Sequence, residues 1–381
     1  MKPIKVMLVF GTRPEAIKMA PLYLELKRRP EIECIACVTA QHRKMLDDVL
    51  SCFDITPDYD LDVMKEGQTL AYITSSVLND LSEVLREVKP DLVLVHGDTT
   101  TAFAAALSAF YERIPVGHVE AGLRTYDRYS PFPEELNRSL VGRLAEYHFA
   151  PTAHNAQNLK NENITENVFI TGNTVIDAMK YTVGDGSFKT KALSDIDFVT
   201  RRVIAMTCHR RENYGEPMEN IFRAIRRIAQ AFDDVSIVYP VHLSPTVRET
   251  AQKFLSGVTN IHLIEPLDAM EMHRLMSKSY FVMTDSGGLQ EEAPALGKPV
   301  LVMRCETERP EAVEAGTVEL AGVDENRIFE MARELLTDSA VYTHMAKAVN
   351  PYGDGEACPR IAQAILFSFG ASNKRPEDFR P

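Results

Sequence analysis

No stretch of this chain stays apolar for the roughly 20 residues that a membrane-crossing helix needs. The N-terminal "MKPIKVMLVFG" starts basic but has neither the apolar core nor the small-residue cleavage site of a secretory signal. The expected setting is therefore the cytoplasm, with no membrane partner. Positive charge is also in short supply, since 42 Lys and Arg stand against 54 Asp and Glu for a formal charge of −12. A general nucleic-acid binder needs a basic face, so that class is excluded, whereas one small anion held by a local cluster of Arg and Lys is not. Six cysteines, at 34, 37, 52, 208, 305 and 358, make no disulfide framework. Cys34 and Cys37 spell C-x-x-C, but "ECIACVTA" reads as a strand, on which residues three apart face opposite ways. Packed, reduced thiols are expected there rather than a zinc or redox pair. Short-period repeats, coiled-coil heptads and low-complexity tracts are missing as well.

What remains is an ordinary globular composition, 45% hydrophobic and 25% charged, over 381 residues. That length exceeds what one core usually serves, so two domains are expected. Buried-strand runs "IKVMLVF" (4–10), "IECIACVT" (32–39), "DLVLVH" (91–96), "IPVGHV" (114–119) and "EYHFAP" (146–151) alternate with helical patterns such as "TTAFAAALSAFYER" (100–113). A polar stretch, "VGDGSFKTKALSDIDF" (183–198), separates this series from a second. The second has strands at 201–207, 235–241, 260–266, 279–284 and 298–303, with helices at 218–232 and 269–278 between them. The fold class is α/β: two doubly wound, Rossmann-like domains with parallel sheets covered on both faces, hinged near 171–176. Ligands in such sheets sit beyond the carboxyl ends of the strands, so two of them facing a central cleft are expected to bind between them.

The turn after the first strand, "GTRPEAIK" (11–18), lacks the G-x-G-x-x-G fingerprint, which argues against NAD. Gly11 permits a tight backbone and Pro14 suits a helix start, where Arg13, and Lys18 one turn further on, either hold an anion or are simply solvated cations. Asp98, in "VHGDTTT", is either a helix N-cap or an acid at a strand exit. Glu120, in "HVEAGLRT", leaves the next strand edge, and Glu134 with Glu135, in "PFPEELNR", opens a proline-bracketed helix, where acids also have a dipole explanation. Three carboxylates at successive exits of one sheet suggest a shared site, in which they raise one another's pKa. In the second series "HRREN" puts His209, Arg210 and Arg211 after the first strand, a cationic turn suited to an anion. "DSGGLQEEAPALGKPV" follows a buried strand; Ser286, Gly287 and Gly288 let a diphosphate approach the backbone, and Glu292 can accept from a ribose diol.

Together "GTRPE", "VHGDTTT", "HVEAGLRT", "PFPEELNR", "TGNTVIDA", "HRREN", "YPVHL", "DSGGLQEEAPALGKPV" and "TERPEAVEAGT" resemble the bacterial non-hydrolysing UDP-N-acetylglucosamine 2-epimerases, in register over nearly the whole chain. The resemblance implies the glycosyltransferase-B type of two-domain fold and a homodimer that uses neither metal nor NAD. It implies residues 1–171 as the N-terminal domain and 172–358 as the UDP-binding domain, with a C-terminal helix at about 359–371 packed back on the first. The implied reaction interconverts UDP-GlcNAc and UDP-ManNAc by anti-elimination of UDP to 2-acetamidoglucal and re-addition, supplying ManNAc for cell-surface polysaccharide. By similarity Asp98, Glu120 and Glu134 are the acid/base carboxylates, and His209, Arg13 and Lys18 attend the substrate and departing diphosphate. Ser286, Gly287, Gly288 and Glu292 hold diphosphate and ribose. A second UDP-GlcNAc, as allosteric activator, maps to Gln41, Gln68, Glu135, Arg210 and His242.

The chain departs from the family pattern in four places. Gly67 stands where an Arg commonly precedes Gln68, which should weaken the activator's diphosphate contact. Cys208 replaces Ala beside His209, either as a cation-activated thiol or a buried inert one. Met272 replaces Phe near the uracil pocket, one soft apolar group for another. Cys305-Glu306 replaces Asp-Thr, with no physical account. A glycosyltransferase of the same architecture, a hydrolysing epimerase and an idle nucleotide-sugar sensor are the rival readings. Retention of all three carboxylates together with "HRREN" weighs against the first and last.

Overall fold

The structure, a computed structural model, describes residues 2–381 and divides into two compact units. Residues 1–181 and 352–381 form the first, and 182–351 the second. In the first unit the strands are β1 (Ile4–Phe10), β2 (Ile32–Val38), β3 (Tyr59–Asp60), β4 (Leu92–His96), β5 (Val116–Val119), β6 (Tyr147–Ala150) and β7 (Val168–Ile170). They form one sheet in the order β3-β2-β1-β4-β5-β6-β7, every pair parallel. The second unit has β8 (Arg202–Thr207), β9 (Val235–Pro240), β10 (Ile261–Ile264), β11 (Phe281–Thr284), β12 (Val300–Val302) and β13 (Val318–Leu320), in the order β10-β9-β8-β11-β12-β13, again all parallel.

Continuous apolar runs form the central strands because helices cover both faces of each sheet. All five residues of β4 are buried, as are the side chains of β1 from Val6 to Phe10. Helix Glu216–Ala231 shows how the cover is made: Met218, Ile221, Phe222, Ile225 and Ile228 recur at helical spacing and pack into the second core with Ile204, Ile237 and Phe281. Helix Thr100–Tyr111 is started by the Thr99 hydroxyl, which accepts from Ala102 N, and its alanines allow close packing on the sheet.

Both sheets change winding direction between their first and fourth strands, β1/β4 and β8/β11. The crossovers part there, and the loops leaving those two strands become the natural place for a ligand. Three strands, β3, β7 and β13, are absent from the sequence reading because two or three residues carry no measurable alternation. The division of the chain also falls later than residue 171. Helix Thr174–Thr182 stays with the first unit up to Tyr181 because both Asp177 oxygens accept backbone N–H groups, from Ala357 at 3.2 Å and Cys358 at 2.9 Å. Asn173 N also donates to Tyr352 O at 2.7 Å. The return to the first unit begins at 352 rather than 359, and helix Ala357–Ser368 packs against helix Arg13–Lys27. Cys34 and Cys37 lie buried on β2, their thiols pushed up to about 12 mainly by burial.

Three histidines of the first sheet give a pH prediction. Burial lowers His96 to about 4, His118 to about 3 and His148 to about 4. Between about 6.5 and those values the unfolded chain takes up protons that the folded one refuses, so stability is lost as pH falls through that window. At about 1.4 kcal/mol per unit, each contributes on the order of 3 kcal/mol. Burial raises Glu15, Asp98 and Asp177, which act in the opposite sense as they protonate early. The test is therefore a difference: His148→Phe should flatten melting temperature against pH between 6.5 and 4 relative to the wild type. Superimposable slopes would refute it.

Candidate active site

In the first unit the winding change brings together the exits of β1 and β4. Gly11 opens the first loop, and its φ is not positive; what it supplies is room. A Cβ there would stand 1.8 Å from Thr39 Oγ1 and 2.9 Å from Thr101 Oγ1, both on fully buried residues. Gly11→Ala is therefore expected to lower stability by about 1–3 kcal/mol, read as a denaturant midpoint, with part recovered when Thr39→Ala removes the nearest atom. Glu15, buried, ties the two loops: its Oε2 accepts from Gly11 N at 3.1 Å and Thr12 N at 2.8 Å, while Oε1 accepts from Thr99 Oγ1 at 2.6 Å. Burial raises its carboxyl pKa against those hydrogen bonds. Arg13, the first residue of its helix, is half-buried and close enough to His42 to lower that histidine's pKa, after burial.

Asp98 and Glu120 sit at the exits of β4 and β5. Glu120 adopts a left-handed backbone, φ 64°, which costs a non-glycine residue on the order of 1 kcal/mol or more. Its Oε2 accepts from Lys18 Nζ and, at 3.1 Å, from Asn173 Nδ2, and stands 3.6 Å from His96 Nε2. Asp98 accepts from Arg138 Nη2 through Oδ2, and its carbonyl from Asn137 Nδ2 at 2.9 Å. Burial raises the Asp98 carboxyl pKa; Arg138 opposes the rise and the Glu120 charge adds to it. Glu134 begins helix Glu134–Leu144 one turn before Arg138, on the same helical stripe. Glu135 is buried instead, accepting from the backbone N–H groups of Thr125 at 3.0 Å and Tyr126 at 2.9 Å and lying 3.3 Å from Arg138. Arg124 turns away into a bidentate pair with Glu162.

The second unit repeats the plan at β8/β11. Asp285, fully buried at the end of β11, accepts through Oδ2 from His209 N and Arg210 N, both at 2.8 Å, and from Asn213 Nδ2 at 3.1 Å. Its Oδ1 faces His209 Nδ1 at 3.2 Å. Burial opposes ionisation of Asp285, but His209 and the backbone donors hold its pKa below the usual range. The ring of His242 stacks on that of His209, centroids 5.5 Å apart at 17°, and its Nδ1 accepts from Ser244 N. Neither Gly287 nor Gly288 has a positive φ, and an added Cβ would meet only the far ends of two long side chains. A Cβ on Gly287 would lie 3.6 Å from Arg210 Nη2, and one on Gly288 would lie 3.3 Å from Glu292 Oε1. Arg210 and Glu292 thus flank the Ser286–Gly288 turn. The "TERPE" loop is laced to the helix beyond: Thr307 Oγ1 donates to Gln290 and Arg309 pairs with Glu291.

The structure therefore groups Lys18 with Glu120, Asp98 with the Glu134 helix, and His209, Arg210, Ser286, Gly287, Gly288 and Glu292 at one edge of the second sheet. Gln41 and Gln68 also meet, Gln68 Nε2 donating to Gln41 O at 3.0 Å. Gly67 has a φ of 69° with nothing within 4 Å of a built Cβ, so the departure from Arg places glycine where the backbone favours it. Cys208 is fully buried and its thiol pKa raised by burial and by Asp285, which decides for the inert reading. Residues that the sequence reading passed over are Glu15, His96, Arg138, Asn173 and Asp285. Each lay inside a quoted motif or next to one, but its partner comes from a distant strand exit.

The family model for UDP-N-acetylglucosamine 2-epimerase matches residues 24–366. The UDP-N-acetylglucosamine 2-epimerase of Bacillus subtilis (strain 168) is 58% identical over 380 residues, covering 100% of this chain and 99% of that one. The S. aureus MnaA–UDP co-structure is 52% identical with a TM-score of 0.87, and both chains are fully covered. The structure of UDP-GlcNAc 2-epimerase from Neisseria meningitidis bound to UDP-GlcNAc is 51% identical with a TM-score of 0.84, covering 95% of this chain and 100% of that one.

Proposed function

The chain belongs to the UDP-N-acetylglucosamine 2-epimerase family, and from that premise we propose that it interconverts UDP-GlcNAc and UDP-ManNAc without hydrolysis. Carbon 2 of the sugar is not beside a carbonyl, so removing its proton gives no stabilised enolate. Elimination of UDP across carbons 1 and 2 to 2-acetamidoglucal, then re-addition with a proton on the other face, avoids that barrier. The observation that carries the reading is the pair Asp98 and Glu120 at neighbouring strand exits, each against a cation, with Glu134 close by in the same unit. Such carboxylates can take a proton from one face of carbon 2 and return one to the other.

The departing diphosphate must be stabilised and kept. In the proposal Arg13, Lys18 and His209 do this, with the Ser286–Gly288 turn at the diphosphate and Glu292 at the ribose. Lys18 gives Glu120 a counter-charge, and a cation at that carboxylate favours its ionised form, the form in which it can take up a proton. Asp285 offers the counter-charge an imidazolium needs while His209 hands a proton to the phosphate. The protein acts as a homodimer in the cytoplasm and supplies ManNAc units for cell-surface polysaccharide. A second UDP-GlcNAc, contacting Gln41, Gln68, Arg210 and His242, activates it weakly because Gly67 brings no cation; Glu135, buried with both oxygens engaged, makes no contact of its own. Gly67→Arg is expected to sharpen activation by UDP-GlcNAc in initial-rate curves at low substrate; unchanged curves would remove Gly67 from the account.

The test is proton NMR of the purified protein with UDP-GlcNAc in deuterated water, with no metal or NAD added. UDP-ManNAc carrying deuterium at carbon 2 is the expected product. Free ManNAc with UDP would move the protein to the hydrolysing reaction, and unchanged substrate would end the epimerase reading.

A further inference from the structure

His273 lies on helix Ala269–Lys278 and is 2% exposed. Its Nε2 stands 3.2 Å from Glu292 Oε2, and its Nδ1 stands 2.8 Å from Thr182 Oγ1. Both ring nitrogens are thus engaged inside the protein. An ionised Glu292 can only accept, so Nε2 carries hydrogen, and in the neutral ring the Thr182 hydroxyl donates to Nδ1. Glu292 sets the tautomer, Thr182 braces the ring through Nδ1, and the Nε2 hydrogen holds one oxygen of Glu292. The other oxygen, Oε1, is left at the Ser286–Gly288 turn, 3.3 Å from where a Cβ on Gly288 would be.

The helix that carries His273 is itself held hard. Glu271, also buried, accepts from Lys189 N at 2.7 Å, Thr190 N at 3.2 Å and the Thr190 hydroxyl. Lys278 lies over the rings of Phe188 and Phe198. Three side chains of one helix therefore fasten the stretch that opens the second unit, and His273 alone also reaches the nucleotide turn. A glutamate on a seven-residue helix at a surface turn has several rotamers, and a carboxylate that must meet two adjacent hydroxyls can use only one of them.

We propose that His273 is the positioning residue that holds Glu292 for the ribose diol, and that it sets the protein's preference for a ribonucleotide. The proposal rests on the reading of Ser286–Glu292 as a nucleotide site, and its test separates the two. Calorimetry would compare UDP with 2′,3′-dideoxy-UDP on the purified protein. Wild type should prefer UDP by about tenfold or more, the scale of a hydrogen bond to a charged group. His273→Phe, which keeps the ring but not the donor, should narrow that ratio to within about threefold. It should also raise KM for UDP-GlcNAc about tenfold while changing kcat by less than about threefold. His273→Gln, whose amide can still donate, should recover most of the discrimination, which a purely structural role would not produce. Thr182→Val, which frees the ring without emptying the core, should give an intermediate ratio, and it carries the test if His273→Phe does not fold. A wild-type ratio preserved in His273→Phe, or in Thr182→Val when only that variant folds, overturns the proposal. A wild type that binds UDP and dideoxy-UDP alike, or neither, overturns it together with its premise.

Discussion

Asp285→Asn should fold, bind UDP with little change, and lose at least about 10²-fold in kcat for UDP-GlcNAc, the scale on which a wrong tautomer or a missing donor acts. The amide oxygen can still accept from His209 N, Arg210 N and Asn213 Nδ2, which Asp285 Oδ2 now serves. Its NH2 then takes the place of Oδ1, 3.2 Å from His209 Nδ1. A donor facing Nδ1 makes that nitrogen the acceptor and moves the ring hydrogen to Nε2, and it removes the negative charge that an imidazolium needs. Asp285→Ala is expected to do something different. It takes the acceptor from His209 N and Arg210 N, while Asn213 Nδ2 keeps the Met303 carbonyl; at about 1–3 kcal/mol for each donor that stays unsatisfied, it should appear first as a lowered melting temperature. Steady-state kinetics with thermal melts on the two variants separate the roles. A kcat for Asp285→Asn within threefold of wild type would show that Asp285 only ties the loop.

Asp285 stands at the head of "DSGGLQEEAPALGKPV", next to Ser286, yet nothing in that stretch says that β11 lies beside β8. Only the strand order puts Asp285 against the amides of His209 and Arg210, 75 and more residues earlier in the chain. Glu15 has the same history and the same job in the other unit, where it crosses from the β1 loop to Thr99 after β4. The units have thus solved one problem twice. A winding change separates two loops, and a buried acid bridges them so that the cations and carboxylates beside it keep their places. What the sequence made legible was the periodic part: ten of the strands, the long helices, the parallel class, and the residue types crowding the strand exits. What it hid were the strands too short to alternate, and pairings that depend on register between distant segments. Gly11 suits a tight turn by its place in the sequence, whereas in the fold it matters for closeness to Thr39 and Thr101, which needs the neighbours' coordinates.

Arg138 is the second place where distant pairing decides chemistry, and its removal should move a pH profile. Burial raises the Asp98 carboxyl pKa, the Arg138 guanidinium is the largest influence against that rise, and the Glu120 charge pushes the same way as burial. Arg138→Leu takes away the largest opposing influence and leaves Lys18 as the smaller one, so the Asp98 pKa should climb further. The sign of the effect on rate then reports how Asp98 works. If it acts ionised, as the base, the acidic limb of kcat/KM against pH moves up, and activity on the acid side falls. If it acts protonated, as the acid, the alkaline limb moves up and activity extends to higher pH. Asn137→Ala is the control, because Asn137 touches only the Asp98 carbonyl and should leave both limbs where they are. Limbs that stay fixed in Arg138→Leu, with kcat reduced and the fold intact, would mean that Asp98 does not titrate in the rate-limiting step, and the proton work would then rest with Glu120 and Glu134.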